Sequence, residues 1–260
     1  HFIDAFFETV SGFTTTGASI LPDVEVMSRC LLFWRSFTHW LGGVGVLAFV
    51  LTVVRAQKGS GFTVHLLRAE SPGPKVGKMM PKMHESVRML YIVYIGLSAL
   101  NLLFLLAGGM PLFDALCCMF GTAGTGGFGF VGHSMASFSP YLQNVTTVFM
   151  ALFGINFSLY FLMLRRDWRS IWKDEELWAY GGIMVLATGL ITLNTFSMYG
   201  GFGETLRHAA FTVSSVMTTT GYTTTDFALW PKFSQALLLV VMIIGAMAGS
   251  TSGGVKVSRF

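Results

Sequence analysis

Three stretches rich in threonine and glycine carry the oxygen atoms with which this chain could bind a cation. Backbone carbonyl and threonine hydroxyl oxygens are hard ligands, and rings of such oxygens can replace the hydration shell of an alkali cation. Glycine permits backbone angles that are closed to other residues, so successive carbonyls can face one axis. The pattern therefore predicts an alkali-cation site, although each stretch alone could be a simple polar turn. The candidate ligands are Thr15, Thr16, Gly17, Thr125, Gly126, Gly127, Thr219, Thr220 and Gly221.

The three stretches occupy the same place in an internal repeat, and this makes the polar-turn interpretation less attractive. Residues 4–18, 114–128 and 208–222 align without gaps, and in each a short apolar segment precedes the threonine and glycine run. Such a segment is too short to cross a bilayer but suits a re-entrant helix. Non-helical backbone at membrane depth is tolerated only where protein or a water-filled cavity satisfies it. We therefore expect three short helices whose loops converge on one cavity.

The composition places these repeats in a membrane. Apolar residues make up 53% of the 260 residues and charged residues only 12%, whereas a typical soluble domain has roughly 25% charged residues. This balance excludes disorder and most soluble enzymes, and we expect neither enzymatic activity nor a nucleic-acid partner. A bilayer-spanning helix needs about 20 mostly apolar residues. The segments that meet this requirement are 31–54, 89–107, 145–164, 177–199 and 233–255.

Lysine and arginine residues cluster beside the ends of these spans. One group lies between positions 55 and 88, a second between 165 and 173, and the third consists of Lys256 and Arg259. The positive-inside rule places all three groups on the cytoplasmic side, so the chain is expected to start outside and to end inside. Acidic residues predominate in the outer stretches, where they could attract cations or could simply be solvated. The outer stretches are 1–30, 108–143 and 200–232.

The fifth predicted span contains a run of small residues that a helix would accommodate poorly. Glycine costs about 1 kcal/mol in a helix interior, and serine and threonine offer the backbone alternative hydrogen bonds. We predict a break near Gly249–Gly254, with close helix packing by small residues as the alternative. Lys256 could line the inner mouth of a pore or extend to the membrane surface. The residues of this candidate gate are Gly245, Gly249, Ser250, Thr251, Ser252, Gly253, Gly254 and Lys256.

Two other patterns are less informative. Arg35 and His39 lie one turn apart in the first predicted span, where they could form a functional pair or could reach water at its outer end. Residues 124–129 match the G-x-G-x-x-G pattern, but the strand, helix and acidic residue that a dinucleotide site requires are missing.

Four ordered motifs carry a family resemblance. SGFTTTGAS at 11–19, MPLFDALCCMFGTAGTGGFG at 110–129, VMTTTGY at 216–222 and AGSTSGGVK at 248–256 resemble the Trk/Ktr/HKT superfamily, and the bacterial TrkH/TrkG branch is the nearest. The resemblance implies helix–pore loop–helix repeats around a central, potassium-channel-like pore. It implies potassium uptake without a covalently bound cofactor, a filter at the threonine and glycine residues, and a gate at the glycine-rich segment. Gly17 resembles the potassium-selective pattern, since serine there goes with sodium preference in the plant branch.

The resemblance also divides the chain and suggests its partners. Residues 1–54 correspond to the end of repeat 1, 55–86 to a cytoplasmic loop, 87–173 to repeat 2 and 174–260 to repeat 3. Family members have four repeats, so a fragment without the start of repeat 1 and without repeat 4 is expected. A homodimer in the bacterial inner membrane and a cytosolic nucleotide-binding regulatory subunit are implied. The alternative is a broken-helix secondary transporter of another cation or small solute.

Overall fold

The computed structural model describes residues 1–55 and 83–260, and these residues form α-helices and short 3-10 helices without β-strands. The predicted all-α class is confirmed for this part of the chain, while most of the predicted cytoplasmic loop at 55–86 lies outside the described residues. The helices are α1 (Phe2–Phe13), α2 (Arg29–Arg55), α3 (Met83–Ala107), α4 (Leu112–Ala123), α5 (Pro140–Phe153), α6 (Phe157–Leu164), α7 (Trp168–Trp172), α8 (Glu175–Thr195), α9 (Phe202–Met217) and α10 (Lys232–Ile244), with 3-10 turns at Phe196–Met198, Phe227–Leu229 and Val257–Arg259.

Short helices alternate with longer ones in the order that the repeat predicts. The helices α1, α4 and α9 each end just before one of the three threonine and glycine runs. Each of α4 and α9 packs against the helices of its own repeat and against a helix of the repeat before it: α4 contacts α2, and α9 contacts α5. Consecutive repeats are therefore joined side by side, and this arrangement brings the ends of the short helices together.

The start of α4 shows how the sequence fixes these short helices. Pro111 occupies the N-cap with φ −55° and ψ 144°, and Asp114 lies in the first helical turn. Proline suits the beginning of a helix because its missing amide proton has no partner there in any case. A carboxylate in the first turn interacts favourably with the positive end of the helix dipole. Glu204 holds a similar place in α9, and Asp4 in α1.

The longer helices agree only in part with the predicted spans. Among the described residues, Leu90–Ala107 and Glu175–Met198 are long and apolar enough to cross a bilayer. The predicted span at 31–54 lies within the 27-residue helix α2. The predicted span at 145–164 is bent, because α5 and α6 meet at an angle of 90°, as in a broken span or a re-entrant loop. Asn156 stabilises the bend, since its side chain accepts a hydrogen bond from the Ser158 amide at 2.9 Å and so caps α6.

Candidate cation site and gate segment

The three threonine and glycine loops share one backbone conformation. A threonine with positive φ is uncommon, because its β-branched side chain crowds the left-handed region. The same two positions of every loop nevertheless adopt positive φ, first a threonine and then, two residues later, a glycine. The angles are 54° at Thr15, 52° at Thr125, 57° at Thr219, 72° at Gly17, 58° at Gly127 and 83° at Gly221. The gapless alignment of the repeat is therefore also an alignment of backbone geometry.

Hydrogen bonds in these loops turn the amides towards the helix that each loop follows. The middle amide of each loop donates to a carbonyl five residues earlier. The donor–acceptor distances are 3.0 Å for Thr16 to Ser11, 3.4 Å for Gly126 to Gly121 and 2.8 Å for Thr220 to Ser215. A trans peptide points its carbonyl opposite to its amide proton. The carbonyls of Thr15, Thr125 and Thr219 consequently point away from their own helices.

The loops also touch one another through backbone atoms. A Cβ atom placed on Gly17 would collide with the carbonyl oxygen of Gly126, and one placed on Gly126 would collide with the carbonyl oxygen of Thr15. In the same way, a Cβ atom on Gly127 would collide with the carbonyl oxygen of Thr220. The first loop thus contacts the second and the second contacts the third, as expected for loops that converge on one cavity. Only glycine fits at these contacts.

The place where these loops meet is suited to a cation. The C-terminal ends of α1, α4 and α9 lead directly into the loops, and the C-terminal end of a helix carries partial negative charge. The carbonyls that point away from the helices add further partial negative charge without any ionised side chain. Groups of three or more His, Cys, Asp or Glu side chains that could hold a metal ion do not occur among the described residues. Backbone carbonyls of this kind are the ligands that replace the hydration shell of an alkali cation in selectivity filters.

Arg35 joins the first two loops from behind. Its Nε donates to Glu8 Oε2 of α1 at 2.8 Å, and its Nη1 donates to the carbonyl oxygen of Gly129 at 2.8 Å. The guanidinium carbon also lies 3.5 Å from the ring centre of Phe128. Arg35 is only 6% exposed, so the interpretation that it reaches water is wrong. The outer-vestibule prediction likewise fails for Glu8, whose carboxylate pairs with Arg35 instead of facing solvent.

His39 lies one turn further along α2 and is fully buried behind the second loop. Its ring stacks on Phe128 with a centroid distance of 5.2 Å. A Cβ atom on Gly126 would collide with His39 Nε2, and one on Gly124 would lie 2.6 Å from the His39 carbonyl oxygen. Neither ring nitrogen of His39 has a hydrogen-bond partner among the described residues. His39 and Arg35 thus form the packing surface on which the second loop lies.

The candidate gate segment leaves the helix earlier than predicted. Helix α10 ends at Ile244, and Gly245 follows with φ 72°, a left-handed value that glycine adopts at little cost. The predicted break at Gly249–Gly254 therefore begins at Gly245. Gly254 returns to the same place, because a Cβ atom on Gly254 would lie 2.7 Å from the Cα atom of Gly245. The residues from Gly245 to Gly254 form a closed loop with touching ends.

This closed loop lies directly against the third threonine and glycine loop. The amide of Gly253 donates to Thr219 Oγ1 at 2.7 Å, so one candidate gate residue contacts one candidate filter residue. Lys256 turns back onto the segment, with its ammonium group on the carbonyl oxygen of Ser252. The contact is a third arrangement, different from both expectations for Lys256, because the ammonium group interacts with the segment's own backbone. The predicted gate residues are thus brought together, next to the predicted ligands.

The bend between α5 and α6 holds the gate segment from the second repeat. The Met247 amide donates to the carbonyl oxygen of Gly154 at 3.1 Å, and the Phe157 amide donates to that of Gly249 at 3.1 Å. Glu176, in the first turn of α8, accepts a hydrogen bond from the Ala248 amide at 2.6 Å. Sequence reasoning missed these anchors, although a glycine followed two residues later by an asparagine within an apolar run is a signal for a break.

Short helices that deliver three matched, carbonyl-lined loops to one place define a pore-loop membrane protein. The family model for TrkH, described as a cation transport protein, matches residues 1–260. The chain therefore belongs to the TrkH family of cation transport proteins. Its resemblance to the wider superfamily, inferred above from four motifs, is confirmed.

Named relatives agree with this placement. The chain is 37% identical over 261 residues to the Trk system potassium uptake protein TrkH of Salmonella typhimurium, and the match covers 98% of this chain and 54% of the relative. It is 35% identical over 267 residues to the Trk system potassium uptake protein TrkG of Escherichia coli K12, covering 100% of this chain and 54% of the relative. The crystal structure of the potassium transporter TrkH from Vibrio parahaemolyticus superposes with a TM-score of 0.84 at 32% identity and covers 100% of this chain and 53% of that one. The chain thus spans about half the length of these relatives.

Proposed function

We propose that this chain is part of a potassium-uptake protein and supplies three of the filter loops of its pore. The observation that carries the proposal is the backbone contact between neighbouring loops, in which Gly17 meets Gly126 and Gly127 meets Thr220. Backbone carbonyls from loops that meet in this way can replace the water around K⁺ without a covalent step. The matched relatives are named potassium uptake proteins, and we infer from their names that K⁺ is the transported ion.

Permeation in this account begins on the outer side, where the chain has its first residues, and ends in the cytoplasm. The ion loses its hydration shell at the carbonyls of Thr15, Thr125 and Thr219 and their neighbours. The segment from Gly245 to Gly254 then obstructs the path below the third loop and moves aside when the protein conducts. Full-length protein forms a homodimer in the bacterial inner membrane and binds a cytosolic nucleotide-binding regulatory subunit. No enzymatic chemistry is part of the proposal.

Ion-replacement flux tests this function. Full-length protein is reconstituted into liposomes that contain K⁺, and uptake of ⁸⁶Rb⁺ is followed while external K⁺, Na⁺ or Li⁺ competes. We expect K⁺ to compete strongly and Na⁺ and Li⁺ weakly. Uptake that depends on an imposed gradient of another solute, and that ceases without it, would favour the broken-helix secondary transporter instead. Absence of Rb⁺ uptake in correctly inserted protein would contradict the proposed potassium uptake.

A further inference from the structure

Two of the three short helices hold their own filter loop with a serine hydroxyl. Ser11 of α1 donates to the carbonyl oxygen of Ala18 at 2.6 Å, and Ser215 of α9 donates to that of Tyr222 at 2.6 Å. The two serines occupy the same position of the internal repeat, and so do the two acceptors. Each hydrogen bond closes a filter loop onto the last turns of its helix. It thereby fixes how far the filter carbonyls lie from the helix end.

The second short helix cannot make this contact, because it has Gly121 at the serine position. The phenol of Tyr222, from the third repeat, fills the space instead. A Cβ atom on Gly121 would collide with the Tyr222 hydroxyl oxygen and would lie 3.1 Å from Cζ. The same hydroxyl donates to the carbonyl oxygen of Cys118 at 3.4 Å, and Tyr222 is 3% exposed. A hydroxyl from the third repeat thus stands where the second helix has none.

The contact between the first and second repeats has the opposite arrangement. Phe128 follows the second filter loop as Tyr222 follows the third, and its ring lies against α1, with Cε1 3.6 Å from a Cβ atom placed on Gly12. Phe128 has no hydroxyl, whereas the helix that it contacts carries Ser11. At the repeat positions of Gly121 and Tyr222, the first helix and the second loop thus carry serine and phenylalanine. In these two pairs of equivalent residues, the hydroxyl is on the helix in the first pair and on the loop residue in the second.

We propose that Tyr222 is a positioning residue for the second filter loop and that the Gly121–Tyr222 pair helps to determine cation selectivity. Ser215 ties the Tyr222 carbonyl to the third repeat, while the Tyr222 amide nitrogen lies 3.2 Å from a Cβ atom placed on Gly127. A shift of the ring over Gly121 therefore changes the distance between the second and third loops. That distance sets the size of the carbonyl cage that receives the ion.

The inference rests on the proposed function, and a double-mutant cycle in the full-length protein tests it. Gly121→Ser places a side chain where the phenol lies, and Tyr222→Phe removes the hydroxyl. The double variant gives the second helix and the third loop the residue types, serine and phenylalanine, that the first helix and the second loop have at the equivalent positions. The measurements are the K⁺-to-Na⁺ flux ratio in liposomes and the thermal unfolding midpoint in detergent.

We expect Gly121→Ser to lower the flux ratio by about tenfold, in the range found for directly coupled residues. Tyr222→Phe should lower it less, because only one oxygen is lost. The double variant should return to within about threefold of wild type, since coupled substitutions are not additive. If Gly121→Ser does not fold, recovery of a folded protein by the added Tyr222→Phe exchange supports the same coupling, and its flux ratio completes the test.

A matched control separates positioning from general stability. Tyr160 is another phenol that donates to a helix carbonyl, that of Leu152 at 2.8 Å, and it has no contact with the filter loops in the hydrogen bonds described. Tyr160→Phe should leave the flux ratio unchanged. The inference would be overturned if the flux ratio of the double variant fell by the product of the two single-variant reductions. A Gly121→Ser protein with an unchanged ratio would also overturn it. Lack of K⁺ flux in wild type would refute the proposed function, whereas the unfolding midpoints would still measure the coupling of the pair.

Discussion

Arg35 of α2 and Glu8 of α1 form an ion pair of 2.8 Å behind the first two threonine and glycine loops, and both side chains are nearly enclosed, at 6% and 12% exposure. Removal of one member of a buried pair leaves an uncompensated charge and costs about 3–5 kcal/mol. Arg35 has a further hydrogen bond to the Gly129 carbonyl, which a substitution would also remove. The pair therefore connects the first short helix to the segment that follows the second filter loop.

Arg35→Gln should lower the free energy of unfolding by about 3 kcal/mol, the lower end of the range for a buried pair, because Glu8 would lose its charged partner but keep its hydrogen bonds from Ser19 and the Ile20 amide. The measurement is thermal unfolding of full-length protein in detergent, followed by loss of the monodisperse chromatographic peak. Arg169→Gln, at an exposed arginine of α7, is the control and should have no measurable effect. Equal midpoints for the two variants would show that the ion pair does not stabilise the filter.

Serine substitutions at Gly17 and Gly221 test the filter assignment, because the two positions can be compared with each other. Both have positive φ, so serine is strained at either position. A side chain on Gly17 would also collide with the Gly126 carbonyl, whereas one on Gly221 would meet no described atom within 4 Å. Gly17→Ser should therefore reduce the K⁺-to-Na⁺ flux ratio more than Gly221→Ser. An unchanged ratio for both variants would remove these residues from the ion path.

Much of this arrangement could be predicted because repetition is visible in sequence. The three loops align without gaps, and a short apolar helix before a threonine and glycine run has few other uses in a membrane. The predicted short helices correspond to α1, α4 and α9. The family resemblance added the order of the repeats and the candidate gate.

The parts that could not be predicted depend on contacts between distant residues. Hydropathy over 145–164 describes a continuous apolar run, and it contains no information about the 90° bend that Gly154 and Asn156 permit. The buried pairing of Glu8 with Arg35 was missed for the same reason, since 27 positions separate the two residues. The earlier start of the gate loop depends on Gly245 meeting Gly254, which only the folded chain shows.

Glu176 gives the gate assignment a sharp test. Its carboxylate accepts the Ala248 amide at 2.6 Å, and a hydrogen bond to a charged acceptor is stronger than a neutral one. Glu176→Ala should loosen the gate segment and raise basal Rb⁺ flux by about tenfold or more, as the loss of a charged hydrogen bond of about 1.5–3 kcal/mol implies. Selectivity should be preserved, because the filter loops are untouched.

The neighbouring carboxylate supplies the control for this test. Glu175 lies in the same helical turn but is exposed, so Glu175→Ala should leave flux unchanged. Deletion of Gly249 to Ser252 should act like Glu176→Ala and more strongly. Lower flux from correctly inserted Glu176→Ala protein, or a strongly altered ion ratio, would favour packing as the role of these glycines.

Cysteine labelling tests the orientation in the membrane. Single cysteines at positions 75 and 170 should react only with reagent supplied from the cytoplasm, and one at position 23 only with reagent from outside. The prediction rests on the positive-inside rule and on the number of spans. Position 75 lies outside the described residues, so it tests the topology independently of the helix positions. Labelling of position 75 from outside would show that the chain has the opposite orientation in the membrane.

Anomalous diffraction from Rb⁺ in crystals of the full-length protein tests the central claim most directly. The claim is that the carbonyl oxygens of the three loops, at Thr15, Thr125 and Thr219 and their neighbours, coordinate the transported ion. The account predicts an anomalous peak on the axis between these loops that disappears when Na⁺ replaces Rb⁺. A peak that lies elsewhere among the helices, with none between the loops, would contradict it.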